Sequence, residues 1–392
     1  MGRQYSSKIH MTVSMLPPAL VHLLKLVEVL WHAFSEVGAC LDREREALNT
    51  FRNALVDPSC VLCSWDQVDD CCKWRGISCD NHTGYVMKLD LHADSVDSRL
   101  RGQIHPALLQ LKHLRVLDLS SNDFSGSTIP SFLGSMKELG HLDLSLAGFS
   151  GRIPHQLGNL HKLVSLHLFS NSGSSADNLW LLTNMTSVEY LGMSFVNTSL
   201  ATQHWVHAIM NSCPSLVELH LPSCALYFIP PFLSPLNFSS LRVLHIPQNN
   251  FNSPIPNWIA NISSLISLDL YSNNFSGRAP YQMSQLPNLE ELSLGDWNDD
   301  LSPDWSVLSQ GSWNKLKNPD LILARGSIPE SIGNITSLVC LVLRINGSST
   351  IPDGLGRLKR LEHLDLIGEL SGCIPASLGD LSSLKTVGSR SE

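Results

Sequence analysis

Aromatic residues make up only 7% of this 392-residue chain and charged residues only 16%, against an apolar fraction of 43%. The hydrophobicity is therefore aliphatic, and charge falls short of the roughly one quarter usual in soluble domains. Basic runs are missing too: the 27 Lys and Arg are scattered through a chain of net charge -8. That argues against nucleic acid as a partner, because phosphate binding asks for a basic stripe. After residue 40 no clean run reaches the roughly 18 apolar residues of a membrane span. Coiled coils do not tolerate 21 Pro and 25 Gly, and a chain this apolar has core enough not to be disordered. A Gly-x-Ser-x-Gly elbow and a phosphate-cradling loop are both lacking. What is abundant is leucine, 66 in all. With spans and coiled coils excluded, that excess points to stacked repeats.

Cysteine is unevenly placed. Cys40, Cys60, Cys63, Cys71, Cys72 and Cys79 fall within 40 residues, whereas Cys213, Cys224, Cys340 and Cys373 are dispersed. Ahead of them, Arg3 and Lys8 precede a mostly apolar stretch from Leu16 to Phe34. Val37, Gly38 and Ala39 then supply small residues, so residues 1–39 read as a secretory signal. Eight Asn-x-Ser/Thr sequons (Asn81, Asn184, Asn197, Asn237, Asn261, Asn274, Asn334 and Asn346) fit a secreted chain.

The repeat shows in Ile-Pro pairs beginning at Ile129, Ile153, Ile255, Ile328, Ile351 and Ile374, with gaps of 24, 102, 73, 23 and 23 residues, the two long gaps being close to multiples of 24. The unit is plainest from Leu111 through Leu114, Leu117, Leu119, Asn122, Phe124 and Gly126 to Ile129-Pro130, and it recurs from Ile262 to Pro280. Its Leu-x-Leu is a short strand with both leucines inward and the residue between them outward. Asn three positions on turns the chain by hydrogen-bonding backbone groups. Gly allows the next bend, and Pro stops further pairing. One unit cannot bury its own leucines, so neighbours stack.

The unit resembles the plant-type leucine-rich repeat. The segment before it, with Cys40, Asp57-Pro58, Trp65, Cys71-Cys72, Trp74, Gly76 and Cys79, resembles the N-terminal cap of plant leucine-rich-repeat receptors. The fold expected is α/β: a right-handed leucine-rich-repeat solenoid of about twelve 23–24-residue units with a disulfide-bonded N-terminal cap. Its divisions are a signal (1–39), the cap (40–83) and repeats (84–392). Ala47, Leu48, Phe51 and Leu55 have helical spacing, which lays a helix over the first repeat. The resemblance implies pairing of Cys40 with Cys71 and Cys72 with Cys79. Cys60 and Cys63 lie outside that pattern and either bridge each other or stay free.

The pattern is expected to falter in three places. Residues 171–185 read as a variant loop. Residues 295–318 are rich in Asp and Trp (Trp297, Trp305, Trp313), read as packing residues first and as an exposed adhesive patch second, and the stretch from Leu316 to Ile328 lacks the Asn turn. Glu369 stands where Asn belongs, which puts the C-terminal stack's continuity in question. The last unit reads as unfinished, so a truncated solenoid is expected, membrane-bound only if a span follows.

Between the paired leucines, outward positions form a column holding Asp118, Asp143, His167, His220, His245, Asp269 and Asp365. Two positions on stand Ser120, Ser145, Phe169, Pro247 and Tyr271. His220 and His245 are expected to approach each other, at about 4.8 Å per strand. A metal site would need more ligands, so no metal or cofactor is expected. The ligand face is expected at Asp118, Asp143, His167, Phe169, His220, His245, Asp269 and Tyr271. An open solenoid surface lacks the enclosed pocket that catalysis favours, so an enzyme is not expected. Glycans are expected on Asn81, Asn184, Asn197, Asn237, Asn261, Asn274 and Asn334 but not on Asn346, whose amide should turn inward. The resemblance implies an extracellular module, secreted or on the outer face of the plasma membrane. It would bind a protein, peptide or glycan, as plant immune or developmental receptors do, with a co-receptor kinase as a further partner. A secreted polygalacturonase inhibitor or a non-signalling receptor copy are the alternatives.

Overall fold

The computed structural model describes residues 39–171, 173–233, 238–295, 301–302, 313–323 and 327–390. The secretory-signal reading over 1–38, Asn237, Trp297 and Trp305 lie outside them, as does the side chain of Asn346. One 14-stranded sheet runs the length of the repeats, with its strands paired in chain order. Only the first pair, Ile77–Cys79 with Val86–Asp90, is antiparallel. From Val86–Asp90 onward every strand lies parallel to the next, ending at Thr386–Arg390. Parallel neighbours joined by short crossovers are what a repeat of this length allows. On the opposite side the connections are single 3-10 turns, such as Ser131–Ser135, His155–Asn159 and Asp353–Arg357, each following an Ile-Pro or its equivalent. Among the described residues no helix is long and apolar enough to cross a membrane.

The core is one continuous stack. Leu117, Leu142, Leu166, Leu191, Leu219, Leu244 and Leu268 are at most 2% exposed, and a second file runs alongside through Phe124, Phe149, Phe251 and Phe275. Phe124 stacks on Phe149 at 5.2 Å and Phe251 on Phe275 at 5.5 Å. The cap helix α1 (Asp42–Asn53) buries Glu44, Ala47, Leu48 and Phe51. Leu55 lies beyond its end, in the two-residue strand Leu55–Val56 that pairs with Arg101–Gly102. Disulfides join Cys40 to Cys71, Cys72 to Cys79 and Cys60 to Cys63.

The turn out of each strand is built from two consecutive residues. Ser121, Leu146, Ser170, Phe195, Ser223, Gln248 and Ser272 all have φ between 54° and 63°. The residue after each points inward: Asn122, Ala147, Asn171, Val196, Cys224, Asn249 and Asn273. Each asparagine serves two units. The Asn171 amide nitrogen donates to the carbonyls of Leu168 (3.1 Å) and, one unit back, Leu144 (2.8 Å), while its oxygen accepts from the Phe149 N–H. Asn249 likewise holds Ile246 and Leu221. Double reach explains why Ala147 and Val196 are tolerated. Leu144 is covered from Asn171, and Met193 accepts from the Cys224 thiol.

Two further expectations need correcting. Residues 171–185 are not merely a loop: Gly173–Ser175 form a strand in register with Ser150–Arg152 in a small second sheet. The C-terminal stack is unbroken, with pairing continuous from Glu291–Leu294 to Thr386–Arg390. Without the left-handed residue, however, the chain there runs on as strand, with only a register shift between Ile345 and Ser348 although Asn346 stands at the turn position. Cys340–Thr350 and His363–Ser371 are strands of 11 and 9 residues, and Glu369 is exposed rather than inward. Trp313 is 4% exposed, in keeping with the first expectation of a packing residue rather than the second, an adhesive patch.

Candidate ligand-binding face

Register fixes the outward column. Cα partners run Asp90, Asp118, Asp143, His167, Gly192, His220, His245, Asp269, Ser293, Asp320, Val342 and Asp365. The seven members anticipated from sequence all stand in it. Asp90, Gly192, Ser293, Asp320 and Val342 were not anticipated: Gly192 and Asp320 are not flanked by two leucines, whereas Leu89-Asp90-Leu91, Leu292-Ser293-Leu294 and Leu341-Val342-Leu343 keep the spacing and were overlooked. Between Gly192 and His220 the unit is 28 residues and accommodates α2 (Trp205–Ser212), whose Trp205, Val206 and Ile209 are at most 1% exposed.

Gly192 has no side chain to fill its place, and the ring of Tyr190 folds over it: a Cβ on Gly192 would meet Tyr190 Cε1 at 3.0 Å. The ring thereby closes a gap in the column. His167 stacks on Tyr190 at 4.1 Å, Tyr190 on His220 at 5.0 Å, and His220 meets His245 edge to face at 4.8 Å. Four rings thus form one ladder across four strands. Phe169 touches its near end, 6.5 Å from His167. Polar groups tie the far end down: His245 Nε2 lies 2.8 Å from Ser267 Oγ, which donates to Glu291 at 2.9 Å. Glu218 stands 3.3 Å from His220 Nε2.

The ladder's half-burial sets its electrostatics. Burial holds the His167 imidazole below the ordinary histidine range. In His245 burial, with His220 alongside, pushes the pKa down to about 4. Burial raises the Tyr190 phenol and the Asp269 carboxyl. Asp118 and Asp143 each accept from a backbone N–H two residues on, Ser120 and Ser145, both at 2.9 Å. Farther along, the Arg344 guanidinium lies 5.8 Å from the Tyr271 ring and 3.4 Å from Asp320. Three strand steps separate Tyr271 from Arg344, about 14 Å on a flat sheet, so this reach fits a face that curves inward.

At the near end, ligand atoms of Asp90, His92 and Asp118 lie within 4.8 Å of one another. Lys88 bridges to Asp90 at 2.9 Å, and the hydrogen bond to Asp90 raises the His92 pKa, so this group is a balanced ion-pair network. Six of the sequons have described side chains. Asn81, Asn184, Asn197, Asn261 and Asn334 are exposed and Asn274 is half-buried; Asn261 and Asn334 end 3-10 turns opposite the sheet.

Residues 101–326 match the family described as leucine-rich repeat region, and residues 41–80 match the leucine rich repeat N-terminal domain. The chain belongs to the leucine-rich-repeat family. Within that family it is similar to plant receptor-like proteins: 40% identical over 239 residues to receptor-like protein EIX1 of Solanum lycopersicum, covering 57% of this chain and 23% of that protein. With receptor-like protein Cf-9 of Solanum pimpinellifolium it shares 32% identity over 203 residues, 50% of this chain and 22% of the other. The chain thus spans under a quarter of the length of the curated relatives it matches. Among solved structures, the plant peptide hormone receptor RGFR1 in complex with RGF2 superimposes with TM-score 0.51 at 23% identity, over 81% of this chain and 52% of that one. A plant ice-binding protein superimposes with TM-score 0.54 at 21% identity, over 86% and 99%. At such identities these leucine-rich-repeat structures share the fold alone.

Proposed function

We propose that this chain is a non-enzymatic recognition module that works outside the cell, secreted or held at the plasma membrane, and binds a protein, peptide or glycan ligand. The ligand lies along the sheet's open face, centred on His167, Tyr190, His220 and His245, with Asp118, Asp143, Phe169, Asp269 and Tyr271 around it. Similarity to plant receptor-like proteins supports a role in immune or developmental sensing, with a co-receptor kinase as second partner. Glycans are proposed on Asn81, Asn184, Asn197, Asn237, Asn261, Asn274 and Asn334; those on Asn261 and Asn334, at the turns opposite the sheet, would leave that face open.

The observation that carries this reading is the four-ring ladder. Half-buried rings locked by their neighbours present polar edges with little freedom left to lose, which is what a binding hot spot requires. Placing a photo-crosslinking amino acid at Phe169 or Tyr271 of the secreted chain, in plant apoplastic fluid, should label one discrete ligand. Tyr190→Ala should weaken its capture about ten-fold, roughly the loss of one hot-spot anchor. Labelling only from positions on the 3-10 turns opposite would sink the proposal.

A further inference from the structure

Charge on the open face is one-sided. Nine successive strands, from Val116–Asp118 to Asn318–Leu323, offer outward positions in the column and two residues to either side. These positions hold six acids (Asp118, Asp143, Glu218, Asp269, Glu291 and Asp320) and no Lys or Arg. Basic residues stand on the rim ahead of the strands instead. Lys162 there is paired with Glu138 at 2.6 Å and Lys317 with Glu290 at 2.6 Å, while Arg115 and Arg242 occupy the same rim. The imidazoles of His167 and His245, held neutral by burial, do not offset the carboxylates. Eight strand steps give about 38 Å, the length of an extended peptide of roughly a dozen residues.

A second observation shows what this face does with a cation. Arg344, reaching in from the next strand, places its guanidinium over the Tyr271 ring and against Asp320. Aromatic face plus carboxylate is the pairing that receives an arginine.

We infer that the open face selects a cationic ligand, an extended peptide or protein loop carrying Lys or Arg side chains, and turns polyanions away. This rests on the function proposed above and narrows it. Carboxylates spaced along the face steer such a ligand in and lose that advantage as salt screens them.

The test uses the secreted chain and three fluorescent probes in anisotropy titrations: an alternating Arg-Gly peptide of about a dozen residues, its Glu-Gly counterpart, and oligogalacturonate. Only the Arg-Gly peptide should bind, about ten-fold more weakly in about 0.5 M than in about 0.05 M salt. The triple variant Asp118→Asn, Asp143→Asn, Glu218→Gln should lose a further ten-fold or so. Asparagine keeps the acceptor oxygen for Ser120 and Ser145, and circular dichroism checks that the fold is intact. Asp97→Asn with Asp380→Asn, both exposed and off this face, should change nothing. Failure of the Arg-Gly peptide to bind, equal binding of either polyanion, or full affinity in the triple variant would each overturn the inference. An acidic ligand whose binding is lost in Tyr190→Ala sinks this inference alone. Loss of binding only in the Asp97/Asp380 variant removes the open face itself, and the proposed function with it.

Discussion

The repeats between Asp118 and Asn273 and those after Asn318 solve the same problem differently. In the first region three-residue strands end in a left-handed residue followed by an inward side chain, and asparagines cap carbonyls across two units. In the second no non-glycine residue among those described has positive φ, and the strands run on to 11 and 9 residues. There the carbonyls are satisfied by the adjacent strand. Backbone groups leaving a sheet must find partners somewhere. The asparagine file is thus one of two ways to provide them, needed only where the chain turns.

Removing a rung should hurt most where no neighbour can stand in. Asn171 lies between Ala147 and Val196, so Asn171→Ala leaves the Leu144 and Leu168 carbonyls and the Phe149 N–H buried without partners. At about 1–3 kcal/mol each, the expected loss is about 4 kcal/mol, read as a lowered urea midpoint. Asn273→Ala should cost less, about 2–3 kcal/mol, because Asn249 also holds the Ile246 carbonyl. Equal losses at the two sites would show that the rungs act singly.

Phe149→Ala removes a ring 1% exposed from the stack beside Phe124. A loss of about 3 kcal/mol is expected, again by urea titration.

Two ionisable groups sharpen the comparison through pH. His245 has a folded pKa near 4, below its unfolded value, so the unfolded chain binds the extra proton between about pH 4 and 6.5. Its contribution to stability is therefore full above that window and lost as pH falls through it. Following the His245 ring by NMR should give a midpoint near 4; a midpoint above 6 would mean the ladder is open to water. Glu44, buried in the cap and accepting the Val86 N–H at 2.8 Å, shifts the other way, raised by burial. Its folded form holds the proton longer, so stability should increase as pH drops from above the raised value towards 4.5. Glu44→Gln should abolish that trend.

The smallest effect is expected from Glu369→Asn. Restoring the consensus residue should leave stability within about 0.5 kcal/mol, since the chain there is an exposed strand with no turn to cap. A gain of more than about 1 kcal/mol would erase the distinction between the two regions.

These contrasts also show what the residues alone could reveal. Leu-x-Leu spacing placed Asp118, Asp143, His167, His220, His245, Asp269 and Asp365 in one column, because strand periodicity is a local property. Tyr190 escaped notice because its strand reads Leu191-Gly192-Met193, and its role depends on Gly192 leaving room for the ring. The long C-terminal strands were invisible for a related reason. A missing asparagine reads as a defect until the pairing that replaces it is seen. Gly173–Ser175 lack any apolar signature, yet pair because Ser150–Arg152 are presented beside them.

The two-unit reach of each asparagine sets the chain's tolerance to sequence drift. A turn position can lose its amide, as Ala147 and Val196 have, provided both adjacent units keep a donor. Such a file behaves like a parity check: single losses are absorbed, and two in succession are not. New outward side chains can therefore be tried on one unit at a time without the solenoid coming apart.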